Sequence, residues 1–321
     1  MGKDTAASLY FADMETLLVA DLSDNALIAI AGDDAAEFLQ GQFTNDVKAL
    51  GAGRAQWNGW CSPKGRLLAT FLLARSGPDY LLMLPAEIAP SFARRLGMFV
   101  LRSKVKITDA SGSFARFGLG GPGAAAFVRR HWGSVPEAMA SAHKDGAWCV
   151  ALDGARFVAW VPLTDGRLLA TLRDAASGAG RESWDREAIR AGVPTIVAAT
   201  QEAFVPQMAN FELVGGVSFQ KGCYTGQEIV ARTQYRGILK RRMATVHVPG
   251  PDRPMPGDSV YSASFGEQAA GTVVNSAPAP GGFDALVVAQ IESLDRQDLR
   301  WKSPDGPPIE ILKRPPLANA S

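Results

Sequence analysis

A change in sequence pattern after residue 242 constrains the fold of this chain more than any other feature. Residues 243–312 carry the short runs MATVHV, DSVYSA, AAGTVVNSA, ALVVAQI and IEIL, separated by turns rich in proline and glycine. Evenly spaced short strands with turn signals are typical of a small all-β barrel or sandwich. We therefore predict a C-terminal small β-barrel domain over residues 243–316.

Upstream of this boundary the chain mixes strand and helix patterns. A strand-like run is followed by a helix pattern, and an amphipathic pattern predicts a further helix over residues 87–104. From residue 113 the order strand, glycine, helix returns, and Gly121–Phe127 repeats the glycine-to-phenylalanine spacing of Gly32–Phe38. The predicted fold class is α+β, with two related mixed halves over residues 1–112 and 113–242 ahead of the β domain.

The composition of the chain excludes several classes of protein. Its 321 residues suffice for about two or three domains, and 47% hydrophobic with 20% charged residues is ordinary for a globular protein. With 33 Lys and Arg against 32 Asp and Glu the net charge is +1, so no overall field indicates a nucleic acid or a membrane as partner. Neither a signal-peptide pattern nor an apolar run approaching ~18 residues is visible, so we expect a cytoplasmic protein.

The cysteines and histidines form no recognisable ligand set. Cys61, Cys149 and Cys223 are odd in number, far apart, and outside any CxxC or Cys/His pair. Such a set predicts neither a disulfide framework nor a zinc site, so we expect no metal and a reducing compartment. The three histidines show no ligand spacing and no nucleophile partner, which disfavours a hydrolase triad.

The segment 118–123, GLGGPG, matches the spacing of a dinucleotide-binding fingerprint. Pro122 removes one main-chain donor that would face a pyrophosphate, and the sustained βαβ alternation of dinucleotide-binding folds is missing. We interpret the segment as a turn before a helix. A nicotinamide-dependent oxidoreductase remains as an alternative hypothesis that rests on this segment alone.

The stretch GVSFQKGCYTGQEIVARTQYRGILKRR, residues 216–242, carries the most local information. Thr225 and Glu228 have the T-x-x-E spacing of a capping box, in which Thr225 is the N-cap. Gly237 is placed to end the helix. The spacing therefore predicts a helix over residues 226–236.

This helix would place Cys223 just before its positive end and beside Lys221, among the small residues Gly222 and Gly226. The helix dipole and the neighbouring cation both favour a thiolate, so we expect the pKa of Cys223 to lie below its free value near ~8.5. A buried structural cysteine is the alternative interpretation.

Two sets of cations are candidates for binding an anion. Arg232, Arg236 and Lys240 share helical spacing, and the last of these begins the compact basic run Lys240-Arg241-Arg242. This patch can hold an anionic tail such as a polyglutamate, or part of an RNA; a solvated helix face is the alternative. Lys64 and Arg66, in WNGWCSPKGRLL, flank a hairpin turn on Pro63-Lys64-Gly65 and are possible cleft cations.

Several of these segments together resemble the YgfZ family of bacterial folate-binding proteins, which is related to the glycine-cleavage T-protein. The family's K-G-C-Y-x-G-Q-E core is present in full from Lys221 to Glu228, with FVPQMANF upstream and YRG and KRR downstream. GDDAAEFLQGQFTNDV (32–47), CSPKGRLLATF (61–71) and AGVPTI (191–196) are similar to further family segments. The resemblance covers residues 26 to 242.

The resemblance implies a three-domain ring whose central cleft binds tetrahydrofolate. It also implies a role in making or maintaining iron–sulfur clusters, including those of enzymes that thiolate tRNA, with Cys223 as the functional thiol. The partners expected are then folate and iron–sulfur proteins or assembly factors, and direct binding to nucleic acid is not expected. The residues assigned to folate by this resemblance and the motif are Trp184, Arg190, Lys221, Gly222, Tyr224, Gln227 and Arg232.

The chain departs from the family pattern at three places. Asn25 stands where members often carry a tryptophan, and Arg190 replaces a glutamate that T-proteins associate with the pterin. The aspartate that T-proteins use for methylene transfer would fall near Lys64-Gly65-Arg66 and is missing, and a cation cannot act as that carboxylate. A conventional aminomethyltransferase is therefore not expected, and a folate-dependent one-carbon transferase is kept as the alternative function.

Overall fold

The protein, examined as a computed structural model that describes residues 17–236 and 239–315, combines helices and antiparallel sheets. Within those residues the α-helices are α1 (Ala35–Gln40), α2 (Ala89–Gly97), α3 (Ala124–Trp132), α4 (Gly166–Ala175), α5 (Gly178–Arg190), α6 (Gln227–Arg236) and α7 (Ile291–Arg296). Short 3-10 helices cover Ala198–Thr200 and Ala263–Phe265. The predicted α+β class is confirmed.

Three sheets are built from the strands. The first has the order β1-β7-β10-β9-β8 and consists of β1 (Leu18–Asp21), β7 (Phe114–Gly120), β8 (Ser141–Lys144), β9 (Ala147–Ala151) and β10 (Phe157–Pro162). The second has the order β3-β4-β5-β2-β6 and consists of β2 (Asn25–Ala31), β3 (Ala55–Cys61), β4 (Leu67–Ser76), β5 (Asp79–Pro85) and β6 (Lys106–Asp109).

The third sheet forms the C-terminal part of the described chain and is curled as a half-barrel. Its order is β15-β12-β13-β14-β11-β16, and its strands are β11 (Arg241–Pro249), β12 (Ser259–Ser262), β13 (Gly271–Ala279), β14 (Gly282–Gln290), β15 (Leu299–Trp301) and β16 (Glu310–Lys313). The prediction that short apolar runs form the strands of a C-terminal β domain is thereby confirmed, although α7 and the 3-10 helix Ala263–Phe265 interrupt the strands.

The chain divides into two compact units. Unit 1 takes the described residues up to Phe38 together with Lys48–Gln56 and Leu72–Trp184, and unit 2 takes Leu39–Val47, Trp57–Phe71 and the described residues from Asp185. Buried apolar clusters of described residues lie within each unit. The three domains predicted over residues 1–112, 113–242 and 243–316 stay a prediction.

The structure corrects the predicted length of one helix and decides between the two interpretations of the GLGGPG segment. The helix predicted over residues 87–104 ends at Gly97, and Leu101 shortly after it has a left-handed φ of 46°, which a continuing α-helix cannot accommodate. In the GLGGPG segment, β7 is antiparallel to both β1 and β10, so it does not form the parallel βαβ unit that a dinucleotide fingerprint requires. The interpretation as a turn before α3 is the one that agrees with the structure.

Segment Leu39–Val47 is bound tightly within unit 2 through polar side chains. The hydroxyl of the fully buried Thr44 donates to the Gly216 carbonyl at 2.6 Å and accepts from the Gly59 amide at 2.8 Å. The Asn45 amide group donates to the Gly215 carbonyl at 2.7 Å and to the Trp57 carbonyl at 3.0 Å. These bonds fix the segment against both β3 and the chain that leads into residues 216–242.

No helix among residues 17–236 and 239–315 is long and apolar enough to cross a membrane.

Replacing Thr44 by the nearly isosteric valine tests this attachment. Valine keeps the volume but leaves the Gly59 amide and the Gly216 carbonyl without their partner, at about 1–3 kcal/mol for each unsatisfied group. We expect the free energy of unfolding to fall by about 2–4 kcal/mol in chemical denaturation. The matched control, Thr164→Val at an exposed position, should change it by less than about 0.5 kcal/mol. An equal, small effect of both substitutions would contradict the assigned hydrogen bonds.

Candidate functional site

The hairpin turn between β3 and β4 lies directly against the start of α6. The Gly65 amide donates to the Ser62 carbonyl at 2.8 Å, and Gly65 takes a positive φ of 67°, so the predicted turn on Pro63-Lys64-Gly65 is confirmed. Gly226, with φ 83°, comes so close that a Cβ atom there would lie 2.4 Å from the Ser62 carbonyl oxygen. A side chain at Gly65 would in turn meet the Ile229 Cβ at 2.7 Å. Glycine is therefore required on both sides of this contact.

Helix α6 begins one residue later than predicted. It covers Gln227–Arg236, and the residue before it is Gly226, whose left-handed φ lies outside the helical region. The assignment of Thr225 as N-cap is therefore wrong: the close approach to Ser62 imposes the glycine conformation at the helix entrance. The predicted end at Gly237 lies outside the described residues.

Lys221 is buried and its ammonium group binds main-chain carbonyls. The side chain is only 8% exposed, and Nζ donates to the carbonyl oxygens of Gln40 at 2.6 Å, Phe43 at 2.5 Å and Asn45 at 3.0 Å. All three N–H donors of the ammonium group are thus used on segment Leu39–Val47. Burial lowers the pKa of Lys221 from 10.5 to about 8, and the charge of Asp46 opposes that shift.

Tyr224 is the second buried residue of the motif. Its ring lies 5.0 Å from Lys221 Nζ, within the range of a cation–π contact, and the residue is 7% exposed. Burial raises the pKa of the Tyr224 hydroxyl well above its usual value, and the charge of Cys61 adds to the rise. Cys61 is itself buried, which raises the pKa of its thiol to about 12.

Cys223 lies between these two buried residues and is exposed, as is Gly222 beside it. Cys61 and Cys149 are buried. The alternative interpretation of Cys223 as a buried structural cysteine is therefore wrong. The Lys221 ammonium group, expected from the sequence to be the cation beside the thiol, is instead bound to the carbonyls of segment Leu39–Val47.

The remaining predicted cations of unit 2 fall into two groups. Arg66 is hydrogen-bonded to the main chain: its Nη1 donates to the carbonyls of Glu202 at 3.1 Å and Ala203 at 2.7 Å. Lys64 and Arg232 are exposed, and neither forms an ion pair with any residue in the described part of the chain. Gln227 is half-buried, with Nε2 3.5 Å from the Gly222 carbonyl oxygen.

The two residues taken from the A-G-x-P region lie in α5. Trp184, the last residue of unit 1, is half-buried and packs on β7: a Cβ at Gly118 would lie 2.5 Å from the indole Cδ2. Arg190 ends α5 in unit 2, donates to Glu187 at 3.1 Å and lies 3.8 Å from the carboxylate of the buried Asp284. Asp284 also bonds Nδ1 of His247 at 3.0 Å.

The predicted basic run Lys240-Arg241-Arg242 is only partly a surface patch. Arg242 is 7% exposed and forms a 2.5 Å ion pair with Glu212, because its guanidinium group points into unit 2, where Nη1 also donates to the Gln207 carbonyl at 2.6 Å. Lys240 is exposed, and nothing is described of the Arg236 side chain.

Two buried amide side chains that were not singled out from the sequence bind main-chain carbonyls, one in α6 and one in β11. Gln207 Nε2 donates to the Val230 carbonyl in the first turn of α6 at 2.7 Å, and Asn210 Nδ2 donates to the Met243 carbonyl at 2.7 Å. Both belong to the segment FVPQMANF. Amide side chains placed between apolar residues were the sequence feature that could have indicated buried hydrogen bonds there. Their function is to satisfy buried main-chain groups.

In the part of the chain that the structure describes, no group of three or more His, Cys, Asp or Glu residues is arranged to hold a metal ion.

Comparison with known proteins places this geometry in a family. The GCVT N-terminal domain family matches residues 12–142. A "tRNA-modifying protein YgfZ" of Photobacterium profundum is 31% identical over 311 residues, which cover 91% of this chain and 91% of that protein. Proteins of the same description from Enterobacter sp. (71% of each chain) and Cronobacter sakazakii (76% of this chain and 75% of that protein) are 32% and 30% identical.

A solved structure supports the fold. The glycine cleavage system aminomethyltransferase T from Bartonella henselae superposes with a TM-score of 0.70 at 18% identity, over 88% of this chain and 81% of that one. The predicted T-protein-like fold class is thereby confirmed.

The buried position of Lys221 makes a prediction about the pH dependence of stability. Below pH 8 the lysine is charged in both the folded and the unfolded chain, and it contributes no slope. Between pH 8 and 10.5 the unfolded chain retains a proton that the folded chain has released, so the free energy of unfolding due to Lys221 rises with pH. Relative to Lys221→Met, the wild-type protein should gain about 2 kcal/mol between about pH 7 and 9.5.

The measurement is urea unfolding at a series of pH values, with Lys64→Met as the control for an exposed lysine. Lys64→Met retains Lys221 and should therefore show the rise of stability with pH that Lys221→Met lacks. A constant difference between wild type and Lys221→Met would contradict the lowered pKa.

Proposed function

The chain belongs to the YgfZ family of tRNA-modifying proteins, and from this premise we propose that it is a tetrahydrofolate-binding accessory protein for iron–sulfur cluster assembly or repair. In this function it supports cluster-dependent enzymes, including those that thiolate tRNA, and Cys223 is the functional thiol. Its partners are folate and iron–sulfur proteins or assembly factors, and its place of action is the cytoplasm.

The observation that carries this proposal is the exposure of a single cysteine within the family motif. Cys61 and Cys149 are buried, with the pKa of both thiols raised by burial, so neither is available as a thiolate near neutral pH. Cys223 is exposed. A thiolate is the form that ligates metals or attacks sulfur, so Cys223 is the residue of this chain suited to that chemistry.

The side chains that fit a bound folate are those with free polar or aromatic surface. Folate carries an aromatic pterin and a carboxylate tail. Taken as separate candidate contacts, the half-buried indole of Trp184 in unit 1 suits the pterin, and the exposed cations Arg232 and Lys64 in unit 2 suit the carboxylates. Gly222 and Gln227 add exposed main chain and an amide group. Lys221, Tyr224 and Arg66 fit less well as direct contacts, because their polar groups or rings are already occupied inside unit 2. Arg190 is shared between Glu187 and Asp284.

One-carbon transfer to folate is the second candidate, and the T-protein-like fold is the observation that favours it. Against it, position 65 has neither the backbone conformation nor the space for an aspartate, because Gly65 has φ 67° and lies against Ile229. Lys64 and Arg66 on either side are cations. The backbone conformation and packing of Gly65 therefore give a physical reason why no carboxylate stands at position 65.

Genetic complementation tests the role of the thiol. A bacterial strain deleted for its own YgfZ-family gene should regain thiolated tRNA nucleosides, measured by mass spectrometry, when it expresses the wild-type chain. Cys223→Ser should leave them at the level of the deletion strain, because serine cannot act as the thiol. Cys149→Ala, a buried control in unit 1, should complement like wild type. Full complementation by Cys223→Ser at equal protein level would refute the proposed thiol.

Anaerobic calorimetric titration with tetrahydrofolate tests the cofactor. We expect Trp184→Leu and Arg232→Gln each to weaken binding about tenfold, from lost aromatic and charge-assisted contacts respectively. Arg129→Gln, an exposed arginine on α3, is the matched control and should bind like wild type. Unchanged affinity in both test variants would contradict the assigned contacts. Appearance of a one-carbon unit on the folate during incubation with a methylamine donor would instead support the alternative function.

A further inference from the structure

The four residues Lys221–Tyr224, here called the thiol loop, have buried ends and an exposed middle. Lys221 and Tyr224 are 8% and 7% exposed, whereas Gly222 and Cys223 between them are exposed. No heavy atom lies within 4 Å of a Cβ position added at Gly222, so the side-chain face of that residue is open. The conformation of Cys223 must therefore be determined by the residues on either side.

The two ends of the thiol loop are joined to each other and to the rest of unit 2. Lys221 Nζ lies 5.0 Å from the Tyr224 ring centroid and donates to three main-chain carbonyls of segment Leu39–Val47. That segment is itself held by Thr44 and Asn45. On the other side of Cys223, Gly226 is in contact with the Ser62 carbonyl. The thiol loop, segment Leu39–Val47 and Ser62 all lie in unit 2.

From this arrangement we propose that Lys221 and Tyr224 are positioning residues that hold the Cys223 thiol in a fixed, outward orientation. The lysine acts through its three carbonyl bonds, and the tyrosine acts through its ring face rather than its hydroxyl group. This inference rests on the proposed function of Cys223 and adds the residues on which that thiol depends. It reassigns Lys221 from a ligand contact to an internal anchor.

The Lys221 ammonium group forms directional hydrogen bonds with three carbonyls 176 to 181 residues away in sequence. Loss of the group therefore detaches the thiol loop from segment Leu39–Val47. A methionine of similar length fills the space but donates nothing. Loss of the tyrosine ring removes the apolar face against which the ammonium group is held. The expected consequence of either change is faster motion at Cys223 in a chain that remains folded.

Spin labelling of Cys223 measures this motion directly. As Cys223 is exposed and the other two cysteines are buried, a methanethiosulfonate nitroxide should modify only Cys223 of the native protein. We expect Lys221→Met and Tyr224→Leu to shorten the rotational correlation time of the label about twofold or more. Tyr224→Phe, which keeps the ring, should give the wild-type spectrum.

Arg75→Met is a matched control in unit 1. Arg75 also donates to main-chain carbonyls, those of Leu50 at 2.8 Å and Gly77 at 2.9 Å, and lies 5.6 Å from the ring centroid of Tyr80. It should lower stability in the same way without changing the spectrum at Cys223. A purely structural role of Lys221 predicts equal spectra for Lys221→Met and Arg75→Met, and that result would overturn the proposal. If Lys221→Met does not fold, the spin-label spectra of Tyr224→Leu and Tyr224→Phe test the proposal instead. Equal spectra for these two variants would overturn it.

The spectra also separate this inference from the proposed function. Complementation by Cys223→Ser would refute the function of the thiol and leave the mobility result standing. If the thiol is required, Lys221→Met should fail to restore thiolated tRNA nucleosides although it is folded, and Tyr224→Phe should restore them. Full restoration by Lys221→Met would contradict a positioning role.

Discussion

The structure of the candidate site depends on one buried ammonium group. Lys221 brings a positive charge into the interior of unit 2 and binds three main-chain carbonyls of segment Leu39–Val47 with it. Burial of such a charge is unfavourable, as the lowered pKa records, and the hydrogen bonds with the nearby Asp46 charge offset only part of that cost. The hydrogen bonds of this lysine hold the chain beside Gly222 and Cys223 against segment Leu39–Val47.

The rest of the site follows from close packing around that anchor. Two glycines with positive φ, Gly65 and Gly226, let the β3–β4 turn approach the entrance of α6 more closely than any side chain would allow. Below the helix, Gln207 satisfies the Val230 carbonyl. Three stretches that are remote in sequence, near residues 40, 65 and 225, thus meet in unit 2, and the exposed thiol lies among them. The site is buried at Lys221 and Tyr224 and exposed at Gly222 and Cys223.

The parts of this site that depend on local interactions could be predicted from the sequence. The Pro63-Lys64-Gly65 turn, the strand-to-helix order of residues 113–132 and most of α6 follow from turn chemistry and periodicity. Prediction failed where a residue distant in sequence determines the conformation or the burial of a side chain. Gly226 rather than Thr225 precedes α6 because of the Ser62 carbonyl, and Arg242 is buried because Glu212 is present to pair with it. Lys221 could not be predicted to point inward, since its acceptors are carbonyls near residue 40, and carbonyl groups leave no signature in a sequence.

The central claim is that the Lys221 ammonium group is hydrogen-bonded to the carbonyls of Gln40, Phe43 and Asn45, and nuclear magnetic resonance can observe it directly. In a deuterated protein labelled with ¹⁵N and ¹³C, a buried and bonded ammonium exchanges its protons slowly with water and shows couplings across its hydrogen bonds. The account predicts one slowly exchanging lysine Nζ signal, absent in Lys221→Met, with such couplings to these three carbonyl carbons. A spectrum in which Lys221 exchanges as fast as the exposed lysines would contradict it.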